Sequence, residues 1–245
     1  NVKQEPEGKI IITGICDGDS KEVCRKYFDL DRDYEAIKEK LANIDEYMKE
    51  SIKYGEGIRI LNQDLWEMII SFIVSANNNI PRIKGIIDRM SKKYGTCIEF
   101  NGQEYYTFPT PEALATASME DLRALGLGFR DKYIFATTKK VVNGEVDLEK
   151  LKQEASTKNI RNELLTLSGV GPKVADCILL FSTLKRFDVF PIDVWVRRVM
   201  NDLYIHNPIE AKVNKKELEQ LAKEKFGDLE GIAQQYLFYW KRENS

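Results

Sequence analysis

The residue pattern predicts a mainly α-helical chain preceded by one short strand. Two observations carry this. Residues 9–15 (KIIITGI) form a short β-branched run bounded by Gly8 and Asp17-Gly18, the mark of a strand. From about residue 20 onward, apolar residues recur at helical spacing and are punctuated by helix start signals.

The elements follow in order. Residues 34–50 read as one charged amphipathic helix. Residues 62–75 (NQDLWEMIISFIVS) are apolar nearly all round, which predicts a buried central helix. A helix over 80–94 carries Pro81 in its first turn, where the missing N–H costs nothing. Thr110-Pro111-Glu112 is an N-cap, proline and acid start signal. Ser118 with Asp121 resembles a capping box, and that helix stops at Gly126. Further helices are predicted over 131–142, 159–167, 173–184, 193–204, 214–225 and 229–241, with Asp193 and Asn214 as N-caps. A lone strand has nothing to pair with, so it implies sheet partners elsewhere. Residues 1–18 then hold the strand, and 19–245 read as helical with a hairpin near 160–184. The first residue is Asn rather than Met, which fits either a fragment of a longer chain or a renumbered sequence.

Composition excludes several classes. The 245 residues are 43% hydrophobic, enough for a sizeable core. The net charge of −2 argues against a surface coated in basic residues, although helix N-termini and a few placed cations can still hold phosphates. Cys16, Cys24, Cys97 and Cys177 are scattered, which argues against a zinc site, an iron–sulfur cluster or a disulfide framework. Free, separated thiols suit a reducing compartment. The single histidine, His206, sits in a loop-like YIHNP stretch and reads as a surface residue. No run approaches the roughly 20 apolar residues of a membrane span, and no signal peptide is apparent.

The sharpest local feature is Leu165-Thr-Leu-Ser-Gly169-Val-Gly171-Pro-Lys173-Val-Ala-Asp-Cys177. One helix ends in a two-glycine turn and Pro172 opens the next. Amides at the start of the second helix point outward with the positive end of its dipole, a ready seat for one phosphate. Taken alone, such a turn also fits an ordinary glycine-capped αα-hairpin. Lys173 stands in the first helical turn, where the dipole disfavours a cation and favours the neutral, nucleophilic amine. Asp193, in Phe190-Pro191-Ile192-Asp193-Val194, suits a helix N-cap and also suits a carboxylate that stabilises a cationic sugar.

The combination G-V-G-P-K-V-A-D-C followed by P-I-D-V resembles the helix–hairpin–helix (HhH-GPD) DNA glycosylase superfamily, most of all the 8-oxoguanine DNA glycosylases. The resemblance implies that 1–18 is the last part, a remnant, of an antiparallel N-terminal sheet domain, and that 19–245 is a helical glycosylase domain. It implies a bifunctional glycosylase/AP lyase acting on 8-oxoguanine opposite cytosine, with Lys173 as nucleophile and Asp193 as its electrostatic partner. Ser71 to Arg82 resembles the family's gap-filling stretch, so Asn77 would occupy the vacated space and Arg82 would donate to the orphaned cytosine. Leu125 to Arg130 resembles the next loop, with Phe129 as a wedge and Arg130 as a second cytosine donor. Gln234 and Phe238 resemble the base pocket, with Cys177 on the other face of the flipped base. The DNA backbone would meet Gly169, Gly171, Val194 and Trp195. Trp195 departs from the histidine common there and offers one donor. Carbonyls of Leu165, Leu167 and Val170 would hold a structural monovalent or calcium-type cation. No catalytic cofactor and no iron–sulfur cluster are expected. The partner would be duplex DNA containing an oxidised purine, met by a monomer without a membrane, in the cytoplasm or nucleoid of a prokaryote or in a nucleus. The family's contact to N7–H of the oxidised base comes from its sheet domain, so no residue here is assigned to it. Two alternatives remain at this point: a glycosylase of the same superfamily for another lesion, and a non-enzymatic hairpin DNA-binding module.

Overall fold

A computed structural model describes residues 2–6, 10–14 and 18–244. The chain is mainly helical, as its periodicity predicts. The strand predicted over 9–15 is Ile10–Ile12 (β2), and its outermost predicted residues, like Cys16, lie outside the described residues. It is not an orphan. Val2–Gln4 (β1) pairs with it antiparallel, Val2 opposite Ile12 and Gln4 opposite Ile10. At three residues, VKQ is too short and too polar to announce itself as a strand.

Helix α1 (Ser20–Tyr27) follows, capped by the Asp19 carboxylate on the Lys21 N–H. The predicted 34–50 helix is two helices, α2 (Tyr34–Ala42) and α3 (Glu46–Tyr54). Asp45 breaks it: its extended backbone lets the carboxylate accept from the Met48 N–H at 2.9 Å and begin a new helix. Helix α4 (Leu65–Ser75) is the buried core helix, with Leu65, Ile69, Ile70 and Ile73 fully enclosed. Asp64 caps it, so it starts three residues later than its apolar run begins. Helix α5 (Ile80–Tyr94) matches its predicted span and is capped by Asn79.

A hairpin of β3 (Cys97–Phe100) and β4 (Gln103–Tyr106) comes next, turning through Asn101 (φ 53°) and Gly102 (φ 72°). Then come α6 (Pro111–Leu114) and α7 (Met119–Ala124), the latter with a full Ser118/Asp121 capping box. Helices α8 (Asp131–Val142), α9 (Leu148–Gln153) and α10 (Thr157–Leu164) lead to the two-glycine turn. Beyond it lie α11 (Pro172–Phe181), α12 (Val194–Met200), α13 (Lys215–Phe226) and α14 (Glu230–Glu243). Helix α11 packs on α4, and α14 on α3 and α12; residues from the start of α11 and from α14 line one cavity.

The N-terminal helices are locked to this body through the buried Asp29. Its carboxylate accepts from Arg32 at 2.7 Å and the Tyr34 hydroxyl at 3.1 Å. Lys185, arriving from beyond α11, stands 4.0 Å away and donates to the Ile60 and Leu61 carbonyls. Burial pulls this ammonium down to about 8, against the opposing pull of Asp29.

Candidate active site and nucleic-acid interface

The turn between α10 and α11 has the geometry its glycines suggest. Gly169 sits at φ 84°, and a Cβ there would lie 2.9 Å from Cβ of Tyr133. The glycine is required both by its backbone angle and by the aromatic ring packed on it. Gly171 is different: its φ is −91° and a Cβ would meet nothing within 4 Å. It is the N-cap of α11 and brings no side-chain acceptor, so first-turn amides of that helix lack the usual capping oxygen.

Lys173 follows in the first turn, half-buried, one turn before Cys177. Burial pushes the Cys177 thiol up to about 11, opposed by the charge and hydrogen bond of Lys173. Asp193 is the N-cap of α12: Oδ1 accepts from the Val196 N–H at 2.8 Å, which fixes the carboxylate on the exposed side of the helix start.

Lys173, Cys177, Asp193, Gln234 and Phe238, separated by up to 65 positions in the chain, line one cavity of about 210 Å³. Gln234 is 3% exposed. Its Nε2 donates to the Pro191 carbonyl, and since that oxygen can only accept, the orientation of the amide is set. Its Oε1 is left buried without a partner among the described residues. An orphaned buried acceptor costs roughly 1–3 kcal/mol, so it marks a place where a donor is missing. The Phe238 ring meets the edge of Trp195 at 6.4 Å, and the Arg242 guanidinium lies 5.6 Å from its centroid. Phe72 and Phe181, stacked at 5.9 Å, add apolar wall that sequence reasoning did not single out. Helical periodicity marks both only as core aromatics.

Asn77, Arg82, Phe129 and Arg130 do not line this cavity; they form a second cluster. Asn77, exposed, takes φ 48° just past α4. The Phe129 ring is 51% exposed, with Tyr133 edge-on at 6.2 Å, so the ring that packs on Gly169 also supports Phe129. Arg130 is 2% exposed. Its Nε donates to the Ala76 carbonyl at 2.8 Å and its Nη2 to the Asn77 carbonyl at 2.7 Å. Arg82, exposed, donates to the Gly126 carbonyl at 3.1 Å. In this structure, then, both arginines expected at a cytosine are bonded across the loops, and Arg130 is enclosed. The indole N–H of Trp195, expected at a phosphate, is buried without a partner among the described residues, and reaching a phosphate requires repacking. Val194 is 54% exposed beside it. In the hairpin, Leu167 and Val170 are buried, and the Leu167 carbonyl accepts from the Val170 N–H at 3.1 Å.

Comparison with known proteins gives this geometry a family. Residues 70–227 match the family of HhH-GPD superfamily base excision DNA repair proteins, and residues 2–69 match the 8-oxoguanine DNA glycosylase N-terminal domain. The N-glycosylase/DNA lyase of Saccharomyces cerevisiae is 38% identical over 68% of this chain and 46% of its own length. The N-glycosylase/DNA lyase OGG1 of Arabidopsis thaliana is 34% identical over 79% of this chain and 56% of its own length. The chain thus spans about half the length of these curated relatives. Among solved structures, an 8-oxoguanine glycosylase/lyase of Clostridium acetobutylicum, bound to double-stranded DNA with cytosine opposite 8-oxoguanine, superposes with a TM-score of 0.90. It is 43% identical, over 99% of this chain and 81% of that one. This chain belongs to the HhH-GPD superfamily of base excision DNA repair proteins, and within it to the 8-oxoguanine N-glycosylase/lyase type.

Proposed function

We propose that the protein is a bifunctional DNA glycosylase/AP lyase that removes 8-oxoguanine paired with cytosine. The observation that carries this reading is the shared cavity: a lysine at a helix start, a fixed carboxylate, and a buried acceptor with no donor of its own. Duplex DNA is held by one phosphate on the uncapped start of α11, through the amides around Gly169 and Gly171, and by the amides of Val194 and Trp195 at the start of α12. The damaged base turns out of the stack into the cavity, between Phe238 and Cys177. A purine N–H there satisfies Gln234 Oε1. Asn77 fills the space left behind, Phe129 wedges beside it, and Arg82 and Arg130 leave their loop carbonyls to donate to the orphaned cytosine.

The Nζ lone pair of Lys173 forms a bond to C1′ as the C1′–N9 bond breaks. The base departs with that electron pair and takes up the proton that the newly bonded Lys173 nitrogen gives up. Asp193 stabilises the positive charge that builds on the sugar, without itself bonding to it. The sugar ring opens to a Schiff base on Lys173. Loss of a C2′ proton then expels the 3′ phosphate oxygen, nicking the strand, and water releases the lysine. The steps draw on Lys173, Asp193 and water, and OGG1-type enzymes need no catalytic cofactor. Carbonyls of Leu165, Leu167 and Val170 offer the all-oxygen donor set that a structural monovalent or calcium-type cation prefers. An iron–sulfur cluster is not part of the reading, since the cysteines are scattered along the chain. Among the described residues no helix is long and apolar enough to cross a membrane. We place the protein with the genome, as a monomer.

Borohydride trapping tests the chemistry. Wild type is expected to form a covalent adduct with an 8-oxoguanine:cytosine duplex, and Lys173→Gln, still folded, is expected to form none. A trapped adduct undiminished in Lys173→Gln would remove the lysine from its role. Cleavage of duplexes carrying 8-oxoguanine opposite each base tests recognition, and equal rates on all four would refute cytosine reading by Arg82 and Arg130.

A further inference from the structure

Arg89 belongs to none of the segments that resemble a functional motif, yet its guanidinium closes on the Phe129 loop. Nε and Nη2 both donate to the Leu125 carbonyl, at 3.0 and 2.8 Å. Two glycines make room for it. A Cβ on Gly85, one turn earlier in α5, would lie 3.2 Å from Nη1, and a Cβ on Gly126 would lie 3.0 Å from Nη2. Gly126 itself turns through φ 87°, and the buried Leu125 and Leu127 flank it.

Three arginines thus join the Ala76–Arg89 segment to the Leu125–Arg130 loop: Arg130 to Ala76 and Asn77, Arg82 to Gly126, and Arg89 to Leu125. In the function proposed above, Arg82 and Arg130 must release their carbonyls to reach the orphaned base. Arg89 has no such second task, and its bonds lie in a seat built of glycine and backbone.

We propose that Arg89 is a positioning residue: it is the staple that holds the Phe129 loop to α5 while Arg82 and Arg130 let go. The wedge then enters the duplex on a fixed base, and selectivity for the opposite base depends on it. Arg89 touches neither substrate nor reacting atoms. The DNA part of this inference rests on the proposed function; the loop part does not.

The test uses the full chain as wild type, Arg89→Lys and Arg89→Met, in two arms. Amide hydrogen exchange on the free protein is read first. Residues 125–130 should exchange at least tenfold faster in both variants, with protection of α4 and α11 unchanged. The second arm uses duplexes with 2-aminopurine beside the orphaned base, and 8-oxoguanine opposite cytosine or adenine. Arg89→Met should lose most of the 2-aminopurine rise and at least tenfold of its preference for cytosine, with Arg89→Lys intermediate. Borohydride trapping on a preformed abasic duplex should stay within threefold of wild type, because no stacked base has to be extruded there. Should Arg89→Met fail to fold, Arg89→Lys carries both arms. Unchanged loop exchange, or loop opening with wild-type 2-aminopurine signal and cytosine preference, overturns the staple. If wild type excises no 8-oxoguanine, the base assignment fails, and the exchange and 2-aminopurine readouts still decide the role of Arg89.

Discussion

Replacing Glu230 by glutamine should stabilise the protein several times more at pH 8 than at pH 5. Glu230 opens α14, four residues before Gln234, and only 6% of it is exposed. Burial pushes its carboxyl from the ordinary 4.5 up to about 7. Lys223 from α13 pulls the other way, while Asp188, Asp176 from α11 and Asp228 before α14 push further up. The folded state therefore holds the proton more tightly than the unfolded chain. Stability from this group is fully present below pH 4.5 and is lost as pH rises through about 7. At about 1.36 kcal/mol per pH unit, a move from 4.5 to about 7 corresponds to about 3 kcal/mol. For a chain of this size that is roughly 6–12 °C in Tm. The assay is thermal or urea unfolding of both proteins at pH 5 and pH 8. Taking the difference between them cancels the background slope of carboxylates held low by cations, such as Asp121 beside Lys93 and Glu210 beside Arg197. An equal Tm difference at both pH values, or a less stable variant at pH 8, would refute an uncompensated buried carboxylate.

Two other outcomes follow from the site. Gly169→Ala forces a side chain to φ 84° and into Tyr133, so it should cost about 1–3 kcal/mol in unfolding free energy and weaken DNA binding, read by fluorescence anisotropy. Wild-type stability and affinity would contradict it. Gln234→Leu removes the orphaned acceptor, so excision of 8-oxoguanine should fall about 10- to 100-fold while trapping on an abasic duplex persists. A parallel loss of both would assign Gln234 to the chemistry rather than to the base.

What could be read from the sequence was local. Caps at Thr110, Ser118, Asp193 and Asn214 stand where residue type and spacing put them, because a cap is a contact between near neighbours. The break at Asp45 was missed because helical periodicity runs straight through Asn43-Ile44-Asp45, and only the extended backbone of Asp45 interrupts it. The β3–β4 hairpin was legible in principle: Asn101-Gly102 is the dipeptide that a two-residue turn with positive φ requires. Long-range facts were not legible. Nothing in the sequence says that Gln234 meets Pro191, that Phe72 stacks on Phe181, or that the Arg130 guanidinium is enclosed by two carbonyls from a loop some fifty residues earlier.

The glycine at 171 carries one more consequence. Serine or aspartate there would finish the first turn of α11 from within the chain, at a gain of only a few tenths of a kcal/mol over glycine. Glycine leaves that turn open, and nothing within 4 Å of it crowds the opening. A phosphate arriving at this spot is then the missing cap. The first turn of α11 has no side-chain cap of its own, and in the function proposed above the nucleic acid supplies that cap as it binds. On that proposal, recognition of the backbone and completion of α11 become one event, which couples the order of the turn bearing Lys173 to the presence of the strand it would cut.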